Sequence, residues 1–262
     1  MKINIVNISD FPAQISFDEK KKWLFFINDN DIFISDNINS DKNTNIKEIN
    51  KLLESDDNKS ILFSSWWFDT INNVNQIWNN IWIWNKILIW FSDTLHLQAK
   101  FFNKDNVFNI YGITLRNIFE LNNYNKNLLF EFLNNQKFTI NLLCYETKNN
   151  NISGRLHWWH LMIFITILDI YLLEVIEDDI IYLEFHWMEE YFIKYYLDIL
   201  KYKWVFNKIS WIILDEKIDN IEIEYLLSYF SQNWVENIYA LSETHFLPFY
   251  KSVNIKEWQL SI

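Results

Sequence analysis

Three short stretches hold residues whose types and spacing could do chemistry. The first is Ile89-Trp90-Phe91-Ser92-Asp93, an apolar run that turns into a serine and an aspartate just before helix-like spacing begins at Thr94. A sharp strand-to-helix turn of this kind exposes a serine Oγ and aims a helix N-terminus at a reacting carbonyl, as a nucleophile elbow does. Ser-Asp at a helix start more often serves as an N-cap pair, which carries no chemistry. The second is His157-Trp158-Trp159-His160, which with Glu184 and His186 offers imidazoles and a carboxylate. A His-x-x-His pair without the glutamate of a metallopeptidase helix is a poor ligand set. Surface or satisfied histidines are the better reading, and no metal or other cofactor is expected. The third is Ser64-Ser65-Trp66-Trp67-Phe68-Asp69, directly after a strand-like run. Taken literally, paired tryptophans could stack on a sugar or a base, but an acidic chain with its indoles on turns makes a poor platform.

Composition narrows the classes. The 262 residues leave room for one large domain or two modest ones, and half of them are apolar. A net charge of −11 argues against a nucleic-acid phosphate backbone or an anionic membrane surface as partner. The opening MKINIVNIS lacks the regions of a signal peptide. The longest apolar run, Leu161 to Ile176, carries Asp169 and Glu174 and is too short to span a bilayer. Cys144 is the one cysteine, so no intrachain disulfide forms, and a reducing cytoplasm is the expected location.

Glycine is the anomaly. An ordinary chain of this length has roughly 18 glycines; this one has Gly112 and Gly154, beside 14 tryptophans. Alanine, arginine and proline are scarce while Asn, Ile and Lys abound, as in an AT-rich coding sequence. Such a bias should deplete tryptophan, whose standard codon is TGG. The expectation is therefore that the tryptophans are UGA codons from a source that reads UGA as glycine. Placement supports it: Trp66-Trp67 and Trp158-Trp159 are doublets beside polar residues that read as turns, and Trp82 and Trp84 lie in an Asn-rich segment. A genuine aromatic-rich core is the alternative.

The elements that must position these residues come next. Ile3–Ile8, Asp31–Ser35, Ser60–Ser65, Lys86–Trp90 and Val107–Tyr111 read as buried strands. Phe17–Phe26, Ile46–Ser55 and Thr94–Asn103 carry helical spacing between them. Strands alternating with helices predict a doubly wound, flavodoxin-like parallel-sheet domain over residues 1–135. Residues 121–151 read as a connection plus a strand at Phe138–Tyr145. Strands at Asp179–Phe185, Ile209–Leu214, Asn237–Leu241 and Ile255–Ile262, with helices at Glu189–Tyr202 and Ile221–Ser231, predict a smaller mixed α/β domain over 136–262.

With glycine restored, residues 64–69 become Ser-Ser-Gly-Gly-Phe-Asp, 89–93 Ile-Gly-Phe-Ser-Asp, and 151–162 NISGRLHGGHLM. Residues 180–190 become IIYLEFHGMEE and 203–214 KGVFNKISGIIL, followed by SETHFLPF and KEGQL. In this form the sequence resembles the LD-carboxypeptidases, serine peptidases that include the microcin C immunity proteins. Trp84-Asn85-Lys86 stands near the family's Asn-Pro-Lys, and the distance from Ser92 to Gly112 needs no gap. The resemblance covers most of residues 60–258. It implies a triad of Ser92, Glu184 and His245, with an oxyanion hole from the Asp93 N–H and the Trp66-Trp67 loop. It also implies a peptide or peptidyl-nucleotide substrate and a homodimer. The chain departs from the family pattern at Thr244, where the family has glycine, and at Phe185-His186 after the glutamate. It departs again at Tyr191-Phe192-Ile193-Lys194-Tyr195, where two family arginines are missing.

Overall fold

The computed structural model describes residues 2–6, 33–35, 42–56, 60–63, 86–90, 95–101, 104, 106–111, 122–135, 139–146, 151–170, 173–186, 188–209, 211–215, 218, 221–235, 237–241, 247–256 and 259–261. The chain divides into two units, residues 1–134 with 245–248, and residues 135–244 with 249–262.

The first unit is built on a parallel sheet. Strands β1 (Lys2–Val6), β2 (Phe33–Ser35), β3 (Ser60–Phe63), β4 (Lys86–Trp90) and β5 (Val107–Tyr111) lie in the order 2-1-3-4-5. Every neighbouring pair is parallel. Runs such as SILF and KILIW are continuous in apolar character, as buried parallel strands are, and Ile61, Leu88 and Ile110 are fully buried. Lys86, at the head of β4, is buried too, and its Nζ donates to the Ser55 carbonyl. Helices α1 (Lys42–Glu54), α2 (Leu95–Phe101) and α3 (Asn123–Asn135) complete the unit's described elements.

Two of those helices sit where spacing predicts them; α3 does not. The Asn-rich sequence around 121–135 reads as a connection, yet Leu128, Leu129, Phe132 and Leu133 form a buried stripe along it. Asn122 is its N-cap, the side-chain oxygen accepting from the Asn125 backbone N–H at 2.8 Å. The helix predicted over Phe17–Phe26 lies outside the described residues.

The second unit holds β6 (Thr139–Glu146), β7 (Asn151–His160), α4 (Leu161–Ile170), β8 (Ile180–Glu184), α5 (Glu190–Tyr202), β9 (Trp211–Leu214), α6 (Ile223–Gln232), β10 (Asn237–Leu241), β11 (Leu247–Lys256) and β12 (Gln259–Ser261). Its strands run 12-6-10-9-8-7-11, and β12 also pairs with β11. Strands β7, β8, β9 and β10 are mutually parallel, while β6, β11 and β12 pair antiparallel. The molecule is thus a mixed α/β fold. The single strand predicted over Ile255–Ile262 is instead a hairpin, with Lys256 opposite Gln259. Helix α4 is apolar on nearly every side and buries Leu161, Ile163, Phe164, Ile165 and Ile167, so it shows no period to read. Among the described residues no helix is long and apolar enough to cross a membrane.

Backbone geometry bears on the tryptophans in both directions. Trp158-Trp159, predicted on a turn, lies within β7 opposite Tyr182 and Leu183. Trp159 is buried and stacks on Phe164 with ring centroids 5.4 Å apart. Trp211 is buried likewise, against Tyr239. By contrast, Trp204 and Trp234 have φ of 61° and 70°, the left-handed region that suits glycine. Each follows a helix by the same pattern. After α5, Trp204 N–H donates to Lys201 O at 3.0 Å and Val205 N–H to Leu200 O at 3.1 Å. After α6, Trp234 N–H donates to Ser231 O at 3.3 Å and Val235 N–H to Phe230 O at 3.1 Å. These are Schellman caps, whose left-handed residue is usually glycine. At Gly154, on β7, an added Cβ would lie 2.1 Å from the Asp178 carbonyl oxygen, so no other residue fits there.

Candidate active site

Parallel strands deliver their next residues to a common edge, and in open α/β sheets that carboxyl edge is where chemistry gathers. Strand β8, IIYLE, is buried along all five residues and ends on Glu184. Its neighbour β9, WIIL, is buried along all four and is followed by Asp215. On the other side of β8, His160 ends β7 directly opposite Glu184. The Asp215 N–H donates to the Leu183 carbonyl at 3.3 Å, which fixes the two acidic residues in adjacent rows.

His186 turns back over this edge. Its Nε2 lies 2.9 Å from Asp215 Oδ2 and 3.7 Å from Glu184 Oε1. The Glu184 and Asp215 side chains are 5% and 14% exposed, and that of His186 is 36% exposed. The His186 carbonyl accepts from His160 Nε2 at 2.9 Å, which places the His160 ring proton on that nitrogen. Two carboxylates therefore face one imidazole nitrogen at the mouth of the sheet.

The opposite end of the same strands carries a second cluster of similar residues. Asp179, just before β8, accepts from Arg155 Nε at 2.7 Å on Oδ1. Its Oδ2 accepts from the second Arg155 nitrogen at 2.8 Å and from the Ile176 N–H at 2.9 Å. His157 Nε2 stands 3.2 Å from that same oxygen, with both side chains fully buried. Burial alone would raise the Asp179 pKa, but the hydrogen bonds from His157 and Arg155 outweigh it and bring it down to about 2. Burial dominates at His157 and lowers its pKa, against the pull of Asp179.

Of the residues named from the sequence, Glu184 stands at the carboxyl edge. His157 does not join it; it belongs to the Asp179 cluster. His160 reaches the edge only through the His186 carbonyl. Ser92, Asp93, His245, Trp66 and Trp67 lie outside the described residues. The elements on either side of Ser92 are β4, ending at Trp90, and α2, beginning at Leu95. Sequence reasoning passed over Asp215. A signal existed, since Ile-Ile-Leu-Asp ends an apolar run on an acid just as Ile-Tyr-Leu-Glu does.

No family model matches the sequence, and no curated protein matches it. Solved structures do. The microcin C7 self immunity protein MccF, in its wild-type apo state, superposes with a TM-score of 0.78 at 17% identity, covering 100% of this chain and 95% of that one. An MccF-like protein from Streptococcus pneumoniae, solved with AMP, gives 0.74 at 16% identity, over 99% and 97%. A muramoyltetrapeptide carboxypeptidase from Oxalobacter formigenes gives 0.77 at 11% identity, over 100% and 98%. The chain has the fold shared by microcin immunity proteins and LD-carboxypeptidases, the family its motifs resemble.

Proposed function

We propose that the chain is a serine hydrolase of the LD-carboxypeptidase and microcin-immunity type, cleaving an amide next to a small C-terminal group. Ser92 Oγ attacks the amide carbonyl while His245 takes its proton. The tetrahedral oxyanion is held by the Asp93 N–H and by an N–H of the 66–67 loop. His245 then protonates the departing amine, and water hydrolyses the acyl-enzyme by the same steps in reverse order. Glu184 holds the His245 tautomer and offsets the imidazolium charge. One observation carries this reading: in this fold, Glu184 stands buried at the carboxyl end of a central parallel strand, where a triad acid is wanted.

Several finer points belong to the same proposal. The first unit is doubly wound and flavodoxin-like, supported by its parallel 2-1-3-4-5 order. Residues 1–135 and 136–262 act as the two domains, and the enzyme is a cytoplasmic homodimer. Positions such as 66, 67, 204 and 234 are glycine in the natural polypeptide; the two left-handed caps support this. A peptidyl-nucleotide is the favoured substrate, because MccF was solved with aspartyl sulfamoyl adenosine and with glutamyl sulfamoyl guanosine. A muramoyl tetrapeptide is the alternative.

The test compares the chain as written, its Trp-to-Gly form and Ser92→Ala in whichever of the two is active. Products from aminoacyl sulfamoyl adenosines and from muramoyl tetrapeptides are followed by mass spectrometry. Ser92→Ala should lower turnover by at least about 10³-fold. Undiminished hydrolysis by that variant would remove serine catalysis.

A further inference from the structure

Glu184 is the last residue of β8, and a triad acid must hold its carboxylate in one direction. The sheet around it ends unevenly. On one side β7 reaches just as far, with His160 opposite Glu184. On the other, the register with β9 stops one residue short, at Leu183 opposite Leu214, and the Asp215 N–H extends it by donating to the Leu183 carbonyl. A chain leaving a strand at such a point keeps its direction only if the turn that follows is tied down.

That turn is tied to both neighbouring strands through one residue. The His186 carbonyl accepts from His160 Nε2 at 2.9 Å, at the end of β7. The His186 ring donates from Nε2 to Asp215 Oδ2 at 2.9 Å, just past the end of β9. The Met188 N–H closes the turn on the Phe185 carbonyl at 3.2 Å. His160 is itself buried, and its Nδ1 finds no hydrogen-bond partner among the described residues, so the bond to the His186 carbonyl is what orients that ring.

We infer that His186 is a positioning residue for the proposed reaction: held to β7 by its carbonyl and to β9 by its imidazole, it straps the turn after Glu184 and so fixes the direction of the Glu184 carboxylate. The ring nitrogen lies 3.7 Å from Glu184 Oε1, past hydrogen-bond length, so the strap acts through the backbone and not by bonding that carboxylate. Its effect on turnover rests on the proposed triad, in which Glu184 orients His245. A misplacement of about an ångström at a catalytic group can cost about 10²-fold in rate, which sets the scale of what the strap protects. Phe185-His186 is one of the places where this chain departs from the family pattern, so the strap belongs to this chain's own residues.

Steady-state kinetics of the full chain, in whichever form is active, tests this. His186→Ala removes the tie to Asp215 from a side chain that is 36% exposed, so the fold survives it. Its kcat should fall by about 10- to 100-fold with KM little changed. His186→Gln keeps an N–H donor within reach of Asp215 and should recover most of that loss. Asp215→Ala should cost about as much as His186→Ala, and the double variant no more than the larger single loss, because both break one bond. Should Asp215→Ala not fold, the two His186 variants decide alone. A His186→Ala kcat within about twofold of the parent, or equal losses in the Ala and Gln variants, overturns the inference. Glu184→Gln is measured beside them. A large loss there with none in His186→Ala leaves the triad standing without the strap, whereas no loss in Glu184→Gln removes both. Apart from turnover, amide exchange at Phe185 and His186 should quicken by at least about fivefold in His186→Ala, and unchanged exchange likewise overturns the strap.

Discussion

The two ends of strand β8 use nearly the same residue types and arrive at opposite conditions. At the amino end, Asp179 has hydrogen bonds on both oxygens, and Arg155, His157 and the Ile176 N–H converge on it inside the protein. At the carboxyl end, Glu184 and Asp215 share a single imidazole nitrogen near solvent. A buried carboxylate with every oxygen answered is a structural fastening. At the carboxyl end the His186 side chain is 36% exposed, so solvent reaches that cluster, whereas the His157 and Asp179 side chains are fully buried. Histidine beside an acid is therefore not in itself a sign of function, and burial separates the two cases.

The contrast can be broken most forcefully at the amino end. Asp179→Ala should cost about 1–3 kcal/mol, because it removes the acceptor shared by the fully buried His157, the partly exposed Arg155 and the Ile176 N–H. Urea unfolding of the full chain measures this, and a loss below about 1 kcal/mol would mean the cluster is not a fastening.

Acid attacks the same cluster without mutation. His157 has a folded pKa below its ordinary 6.5, so its neutral form stabilises the fold and that stability fades as pH falls below 6.5. Asp179, down to about 2 from 3.8, contributes stability that is full above 3.8 and disappears as pH falls through 2. The Asp179 step is worth about 2 kcal/mol. Both effects have the same sign, so thermal midpoints should fall in two stages on acidification. In Asp179→Asn the lower stage should be absent.

Smaller effects sharpen the comparison from outside. Trp204→Gly and Trp234→Gly touch neither end of β8, and each should add about 1 kcal/mol by relieving a left-handed backbone. If either destabilises, the cap is not strained and the glycine reading loses its structural support. Smallest of all in stability is Glu184→Gln at the open end. Removing one of two facing carboxylates should shift unfolding by less than about 1 kcal/mol. On the proposed serine mechanism, turnover should nevertheless fall by about 10⁴-fold, the effect of losing a triad acid. A large loss of stability there would make Glu184 a second fastening.

The legible parts of the molecule were those where burial and period agree. Lys86–Trp90, Val107–Tyr111 and Asn237–Leu241 are strands with the predicted bounds, because buried parallel strands are apolar runs with clear ends. Helix α3 was hidden by asparagine, a residue that resembles a loop until Asn122 is recognised as a cap. Helix α4 was hidden by the opposite excess, being apolar on nearly all sides. Glu184 could be placed at the end of its strand from the sequence. His186, two residues further on, could be grouped with it too; Asp215 could not, because its approach depends on β8 and β9 being neighbours, and no local pattern records that adjacency.

The described tryptophan side chains also have an optical consequence. In the chain as written, Trp204 and Trp234 are 68% and 76% exposed, while Trp159 and Trp211 are buried. Fluorescence of that protein should contain one component that aqueous quenchers reach at once and another that they reach only after the second unit opens. If UGA is read as glycine in the source cell, all 14 indoles vanish together. Protein isolated from that source would then emit as a tyrosine-only protein, and a single emission spectrum of the natural material would tell the two polypeptides apart.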